Sequence, residues 1–254
     1  RRPLYHCRAL PPRRPRESRR QSAPPFLRQD QARLRETRSP SGLLALHFQL
    51  STFSRAVSHP LLTVEDVSKT YDGFKAITNL TFYLFEGELR TVIGPNGAGK
   101  TTLLSCLMGF LLIDSGSILI DGEAPDALAT RRVLGYLPER LTFDRWMTGR
   151  DYMQYHHELA GMPEATRKLD CEALLEKVEL HPSTWSVAVK KYSRGMLQRL
   201  GFAQALVGKP RYLLLDEPAS GMDPHGVLIV RQLLKTLKED GLTILLNSHQ
   251  LDQI

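Results

Sequence analysis

Two short stretches of this 254-residue chain carry side chains whose types and spacing suit phosphate chemistry. The first is GPNGAGKTT, made of Gly94, Pro95, Asn96, Gly97, Ala98, Gly99, Lys100, Thr101 and Thr102. Its glycines let the backbone curl until N–H groups converge on anionic oxygens. Lys100 can then reach terminal phosphates, and Thr101 can place its hydroxyl on Mg²⁺. The second is YLLLDEP at residues 212–218, an apolar run that ends in Asp216 and Glu217. Ligands of open α/β sheets bind outside the carboxyl ends of strands. There Asp216 can organise Mg²⁺ through water, and Glu217 can polarise an attacking water. Adjacent carboxylates at the end of an apolar strand are costly unless a metal or other positive groups compensate them. The plainer alternatives are a glycine turn and a solvated pair of acids. Lysine and hydroxyl at fixed offsets, flanked by strand and helix patterns, favour phosphate binding over the first. The phosphate loop upstream favours a metal role over the second.

These groups need a scaffold. Residues 89–93 read as the strand entering the loop, and 103–108 as the helix behind it, whose positive dipole end faces the anion. Residues 61–64 read as an edge strand, 76–84 as a further strand beyond it, and 117–120 as another, with turns at Glu86-Gly87 and Asp121-Gly122. A helix is expected over 126–132 and a strand over 133–137. Residues 149–159 and 164–178 are helical by spacing, with Leu174, Leu175 and Val178 on one apolar face. The strand pattern returns at 212–215, followed by a helix at 227–238 and a strand at 243–246. Continuous apolar runs suit central parallel strands covered on both faces. The expected fold is an α/β nucleotide-binding core of the P-loop NTPase type: a mostly parallel sheet, antiparallel edge strands and a helical insertion at about 139–207. No internal repeat is visible.

The formal charge of +7 is unevenly placed. Residues 1–60 hold thirteen Arg, no Lys and three acids, a net +10, whereas the remainder is −3. A nucleic-acid reading of the whole chain would rest on this extension alone. Its Arg, Pro, Ser and Gln content predicts disorder over 1–40. With the apolar patch at 43–50 it resembles an organelle transit peptide, or a segment drawn to anionic lipid, against the commoner solvated tail. Because the first residue is Arg, the extension is also open to being a fragment boundary. Cys7, Cys106 and Cys171 form no metal or disulfide framework, and Cys106 reads as a small buried hydrophobe. No run reaches the roughly eighteen apolar residues of a membrane span. His156 and His157 read as a helix surface rather than a metal site, and Trp146 and Trp185 receive no role.

Further markers follow the phosphate loop in order: YLPE at 136–139, YSRGMLQR at 192–199, SGMD at 220–223 and NSH at 247–249. With these, residues 61–254 resemble the nucleotide-binding subunit of an ATP-binding cassette (ABC) transporter. YSRGMLQR is the diagnostic segment, because phosphate loops occur in many unrelated ATPases. The resemblance implies ATP and Mg²⁺ as cofactors. It implies that Tyr71 stacks on adenine and that Glu139 stands where most members have a glutamine touching Mg²⁺ and water. Ser193, Arg194 and Gly195 align with the serine and two glycines of the signature, which close over ATP held by a second cassette. Ser193 read alone is the N-cap of a helix at 196–207. Asp223 resembles the aspartate coupling the two sites, and His249 the switch histidine near the γ-phosphate and Glu217. Tyr192, Arg194 and Met196 depart from the common signature and, with YLPE, resemble an export-like (ABC-2 type) branch.

The implied function is ATP binding and hydrolysis that powers export through a separate transmembrane permease. Lys100, Glu217 and His249 are the catalytic group, and Thr101, Asp216 and Glu139 the metal group. A second cassette, in a homodimer, and the permease are the expected partners, with no specific nucleic acid. The expected place is the cytoplasmic face of the membrane, held there by the permease. Two alternatives are a soluble cassette ATPase in DNA repair or translation, and a carboxyl-terminally truncated, non-hydrolytic ATP-binding fragment. The domain expectation is an extension at 1–60 and a cassette at 61–254.

Overall fold

The structure is a computed structural model that describes residues 47–49 and 60–249. The expectations for residues 1–40, and for all of the 43–50 patch except 47–49, lie outside the described residues. Within that patch His47–Gln49 forms a short strand, β1. β2 (Leu62–Tyr71), β3 (Phe74–Leu84) and β5 (Ser115–Ile120) make an antiparallel sheet in the order β3-β2-β5. The second sheet joins β1 to β4 (Leu89–Ile93), β6 (Leu134–Leu137), β7 (Tyr212–Asp216) and β8 (Thr243–Ser248) in the order β1-β4-β8-β7-β6. Its β4, β8, β7 and β6 run parallel, and β1 pairs antiparallel with β4 at the rim.

One strand assignment requires correction. Residues 61–64 were expected at an edge, yet β2 is the middle strand of its sheet, hydrogen-bonded to β3 on one side and β5 on the other. Its alternation of buried Leu62, Val64 and exposed Glu65 reports one covered face. Period-two patterning does not tell whether a strand has one neighbour or two.

Every residue of β7 and β8 is buried, and the direction of the side chains explains how. Leu213, Leu215, Ile244 and Leu246 point to one side, where they join Phe202, Leu206, Val230 and Leu234 of the helical layer. Tyr212, Leu214 and Leu245 point to the other, where they meet Leu103, Leu104 and Leu107 and the inner face of the antiparallel sheet. A strand covered on both sides has no polar face, so its sequence is apolar throughout.

The helices are α1 (Lys100–Leu107), α2 (Leu128–Val133), α3 (Gly149–Leu159), α4 (Arg167–Lys177), α5 (Arg194–Leu206) and α6 (Pro224–Glu239). The expected helix at 164–178 begins instead as a 3-10 turn, Glu164–Thr166, after Pro163. Three helices start on side-chain caps. Thr148 accepts from the Asp151 N–H in a capping box, Ser193 from Met196, and Asp223 from Gly226. α3 also corrects the histidine reading. Met153 and His157 are four apart and share its core face, so His157 is fully buried, 3.2 Å from Asp170 Oδ2. His156 rests its ring on Tyr152. Among the described residues no helix is long and apolar enough to cross a membrane.

α5 lies so close to β6 that a Cβ built on Gly135 would stand 2.2 Å from the Ala205 carbonyl oxygen and 2.9 Å from Pro210. Backbone cannot step aside as a flexible side chain can. The Gly135→Ala chain is expected to lose about 1–3 kcal/mol of stability. Urea unfolding should show this as a lower midpoint at unchanged slope, and an unchanged midpoint would disprove the contact.

Candidate functional site

The phosphate loop links the end of β4 to the start of α1. Gly99 makes the turn at φ +86°, and a Cβ there would lie 2.2 Å from the Ala76 carbonyl oxygen. Glycine is needed here both for the left-handed backbone and for the approach of β3. Lys100 is the first helical residue and is buried, with its ammonium donating to Gly94 O at 2.6 Å and Pro95 O at 3.1 Å. A buried ammonium needs such oxygen partners. Its nearest carboxylate is Glu217, at 3.8 Å.

Asp216 ends β7, and Glu217 follows it at φ +50°. A left-handed glutamate is uncommon and strained, a cost structures keep at sites where side-chain direction matters. β8 holds it there. The Glu217 N–H donates to Asn247 O at 3.1 Å. The Asn247 side chain donates from Nδ2 to Asp216 Oδ1 at 3.3 Å. His249 Nδ1 lies 2.7 Å from Glu217 Oε2, so the ring donates to the ionised carboxylate. Burial raises the Asp216 pKa above the usual carboxylate value, and Glu139 and Glu217 push the same way, against hydrogen bonds from Thr101 and Asn247. Its Oδ2 is buried with no hydrogen-bond partner. An acid beside a phosphate loop, with one oxygen unsatisfied and the Thr101 hydroxyl on the carboxylate, is a donor set that fits Mg²⁺. No cluster of three or more His, Cys, Asp or Glu suited to a metal occurs among the described residues. Mg²⁺ commonly uses only one or two carboxylates and takes its other oxygens from phosphate and water. Tyr136 stands close by, its pKa pushed up to about 12 by burial and then by Asp216 and Glu139.

A cavity of about 500 Å³ opens over these groups. Tyr71, Asn96 to Thr102, Glu139, Glu217 and His249 line it. Most of the expected residues thus converge, and Gly94, Pro95, Asp216, Ser193 and Gly195 are not part of the lining. Ser193 and Gly195 lie outside the cavity at the start of α5. Three neighbours escaped the sequence reading. Phe74 faces Tyr71 across the β2–β3 turn and lines the cavity. Ser220 lines it beyond Glu217. Asn247 ties both acids to β8. Phe74 lies three residues beyond Tyr71, past the Asp72-Gly73 turn, and a hairpin reading would have paired the two. Asn247 lay in the NSH marker without an assigned role.

Comparison with known proteins matches this geometry. The family model described as "ABC transporter" matches residues 77–220. The ABC transporter ATP-binding protein YxlF of Bacillus subtilis is 38% identical over 191 residues, which are 75% of this chain and 63% of that protein. The chain therefore spans less than two thirds of the length of that relative. The lantibiotic transport ATP-binding protein SrtF of Streptococcus pyogenes is 32% identical over 194 residues, 76% of this chain and 82% of that protein. Among solved structures, the dimeric bacterial ABC transporter cassette MJ0796 superposes with a TM-score of 0.69 at 25% identity, covering 76% of this chain and 89% of that one. The phosphate loop, the strand-end acids, the capped signature helix and these matches agree, and the chain belongs to the ABC transporter family.

Proposed function

We propose that this chain binds and hydrolyses ATP as the cassette subunit of a membrane transporter, and that it drives export through a separate permease. The observation that carries the reading is one cavity lined by the phosphate loop with Lys100, Glu217 and His249, with the buried Asp216 joined to the same cluster through Asn247. SrtF, named for lantibiotic transport, and CbiO1 of Clostridium perfringens, described as part of the complex CbiONQ, support a cassette that works with other subunits. MJ0796 in a dimeric post-hydrolysis state with ADP and Pi supports hydrolysis within a dimer. YLPE and YSRGM support the export-like branch. A soluble role in DNA repair or translation gains nothing from these relatives.

Loop N–H groups and Lys100 hold the phosphates. Tyr71 and Phe74 flank the base. Glu217 accepts hydrogen bonding from the attacking water, and His249 fixes the carboxylate from its far oxygen. Asp216 and Thr101, with Glu139 nearby, would hold Mg²⁺, which would supply positive charge to offset that of the phosphates. Ser193 and Gly195, with the N–H groups opening α5, cover the nucleotide of a second copy of this chain. We assign residues 61–254 to the cassette, 139–207 to its helical subdomain and 1–60 to a basic extension. The working place is the cytoplasmic face of the membrane, peripheral through the permease.

Turnover of Mg-ATP per subunit is expected to rise with protein concentration, as two-subunit sites form. Absence of phosphate release at every concentration would overturn the reading and favour a non-hydrolytic protein. Tyr71→Ala should raise the dissociation constant of ATP by about 5- to 100-fold, the worth of one aromatic stack, while binding of inorganic triphosphate stays unchanged. Equal losses for both ligands would remove Tyr71 from the base.

A further inference from the structure

Tyr71 is 40% exposed and Phe74 60%, so core packing does not hold this aromatic pair in place. Both lie on an overhang. The ladder between β2 and β5 ends at Ser68 opposite Ser115, whereas β2 and β3 stay paired out to Tyr71 opposite Phe74. A two-stranded projection is marginal by itself. One side chain takes over where β5 leaves off. Asp114, the residue before β5, holds three successive residues of β2. Its N–H donates to Ser68 O at 2.9 Å. Its Oδ1 accepts from the Lys69 ammonium at 2.8 Å, and its Oδ2 from the Thr70 N–H at 2.7 Å. The next residue is Tyr71, and the same Lys69 ammonium stands 5.6 Å from the centroid of its ring. Tyr71 lines the nucleotide cavity and Lys69 does not. The ammonium therefore backs the ring on the side turned from the cavity and leaves the other face open.

We propose that Asp114, acting through Lys69, is a positioning residue for the purine base: it fixes the Tyr71 ring against which the base stacks, and so sets affinity for the base but not for the phosphates. The inference rests on the proposed function, in which Tyr71 receives the base. Asp114 touches neither base nor phosphate, and it lies outside the cavity lining. Its mutual hydrogen bond with Lys69 holds the carboxyl below its ordinary pKa and the ammonium above its own, so both stay charged at neutral pH. An ion pair as open to solvent as this one adds little to folding stability. Its effect is local and directional. A stack needs its ring held at one angle before the ligand arrives, and an ordered ring loses less freedom on binding.

The test measures dissociation constants of ATP and of inorganic triphosphate for the full chain and its variants. Asp114→Asn keeps the size of the side chain and an oxygen for the Thr70 N–H, but it releases the ammonium. It should weaken ATP binding about three- to tenfold, a fraction of one aromatic stack, and leave triphosphate binding unchanged. In turnover, KM for ATP should rise while kcat holds. Lys69→Gln should reproduce the loss, and Lys69→Arg should restore most of the affinity. In a Tyr71→Ala chain, Asp114→Asn should have no further effect, because the two act through one ring. Undiminished ATP affinity in Asp114→Asn overturns the proposal. So do equal losses for ATP and triphosphate, or losses that multiply when Asp114→Asn is combined with Tyr71→Ala. A parent chain that binds neither ligand overturns the proposed function, and this inference with it. A parent that binds and hydrolyses ATP, with an Asp114→Asn variant that binds it equally well, overturns the inference alone.

Discussion

Glu217→Gln is expected to leave Mg-ATP binding intact and to slow its hydrolysis on the order of 10²- to 10⁴-fold, the usual worth of a group that handles the proton of an attacking water. The substitution keeps the shape of the side chain, its backbone N–H bond to Asn247 O and its left-handed backbone. It removes the negative charge that faces the Lys100 ammonium at 3.8 Å and accepts from His249 at 2.7 Å. An amide oxygen still accepts a hydrogen bond, but it is too weak a base to draw a proton from water. Phosphate release under saturating ATP gives the rate, and equilibrium dialysis gives the affinity. A variant that hydrolyses at the original rate would show that water is activated elsewhere. A variant that no longer binds would show that Glu217 holds the nucleotide rather than the water.

Lys100→Ala should act on the other quantity, lowering affinity for ATP on the order of 10²-fold, as expected for charge-assisted hydrogen bonds to phosphate. The ammonium is shared between the carbonyls of Gly94 and Pro95. On the proposed reading it would exchange these for phosphate oxygens, so the net gain would be smaller than the gross strength of the new bonds. Alanine also leaves Glu217 without its nearest cation. Isothermal titration should then show a weak interaction carried by the loop N–H groups and the aromatic pair. Undiminished affinity would place the phosphates away from Lys100.

The phosphate loop was legible because each residue in it answers a separate demand: left-handed turns, a cation and a hydroxyl at fixed offsets. β4 and α3 match the expected bounds of 89–93 and 149–159, since Glu86-Gly87 and the Thr148–Asp151 capping box mark them locally. The central place of β2 was not legible, because neighbours along a sheet are chosen by parts of the chain distant in sequence. Burial of His157 was missed for a different reason. A histidine pair looks polar, yet helix register alone turns one ring inward and the other along the surface. The strained backbone of Glu217 has no signature in composition, since glutamate is a poor choice for a left-handed turn and is present for its side chain.

Asn247 links the two acids, Asp216 through its side chain and Glu217 through its backbone. Through one residue, β8 grips the backbone of Glu217 and the carboxylate of Asp216, and two positions later it supplies His249. Three participants therefore travel as one rigid cassette of side chains, insensitive to small forces on any single member. Glu139, on an exposed loop just past β6 and lining the same cavity, has no such tether among the described residues. A mechanical message from outside would enter most cheaply there, displacing one carboxylate while the others keep their spacing.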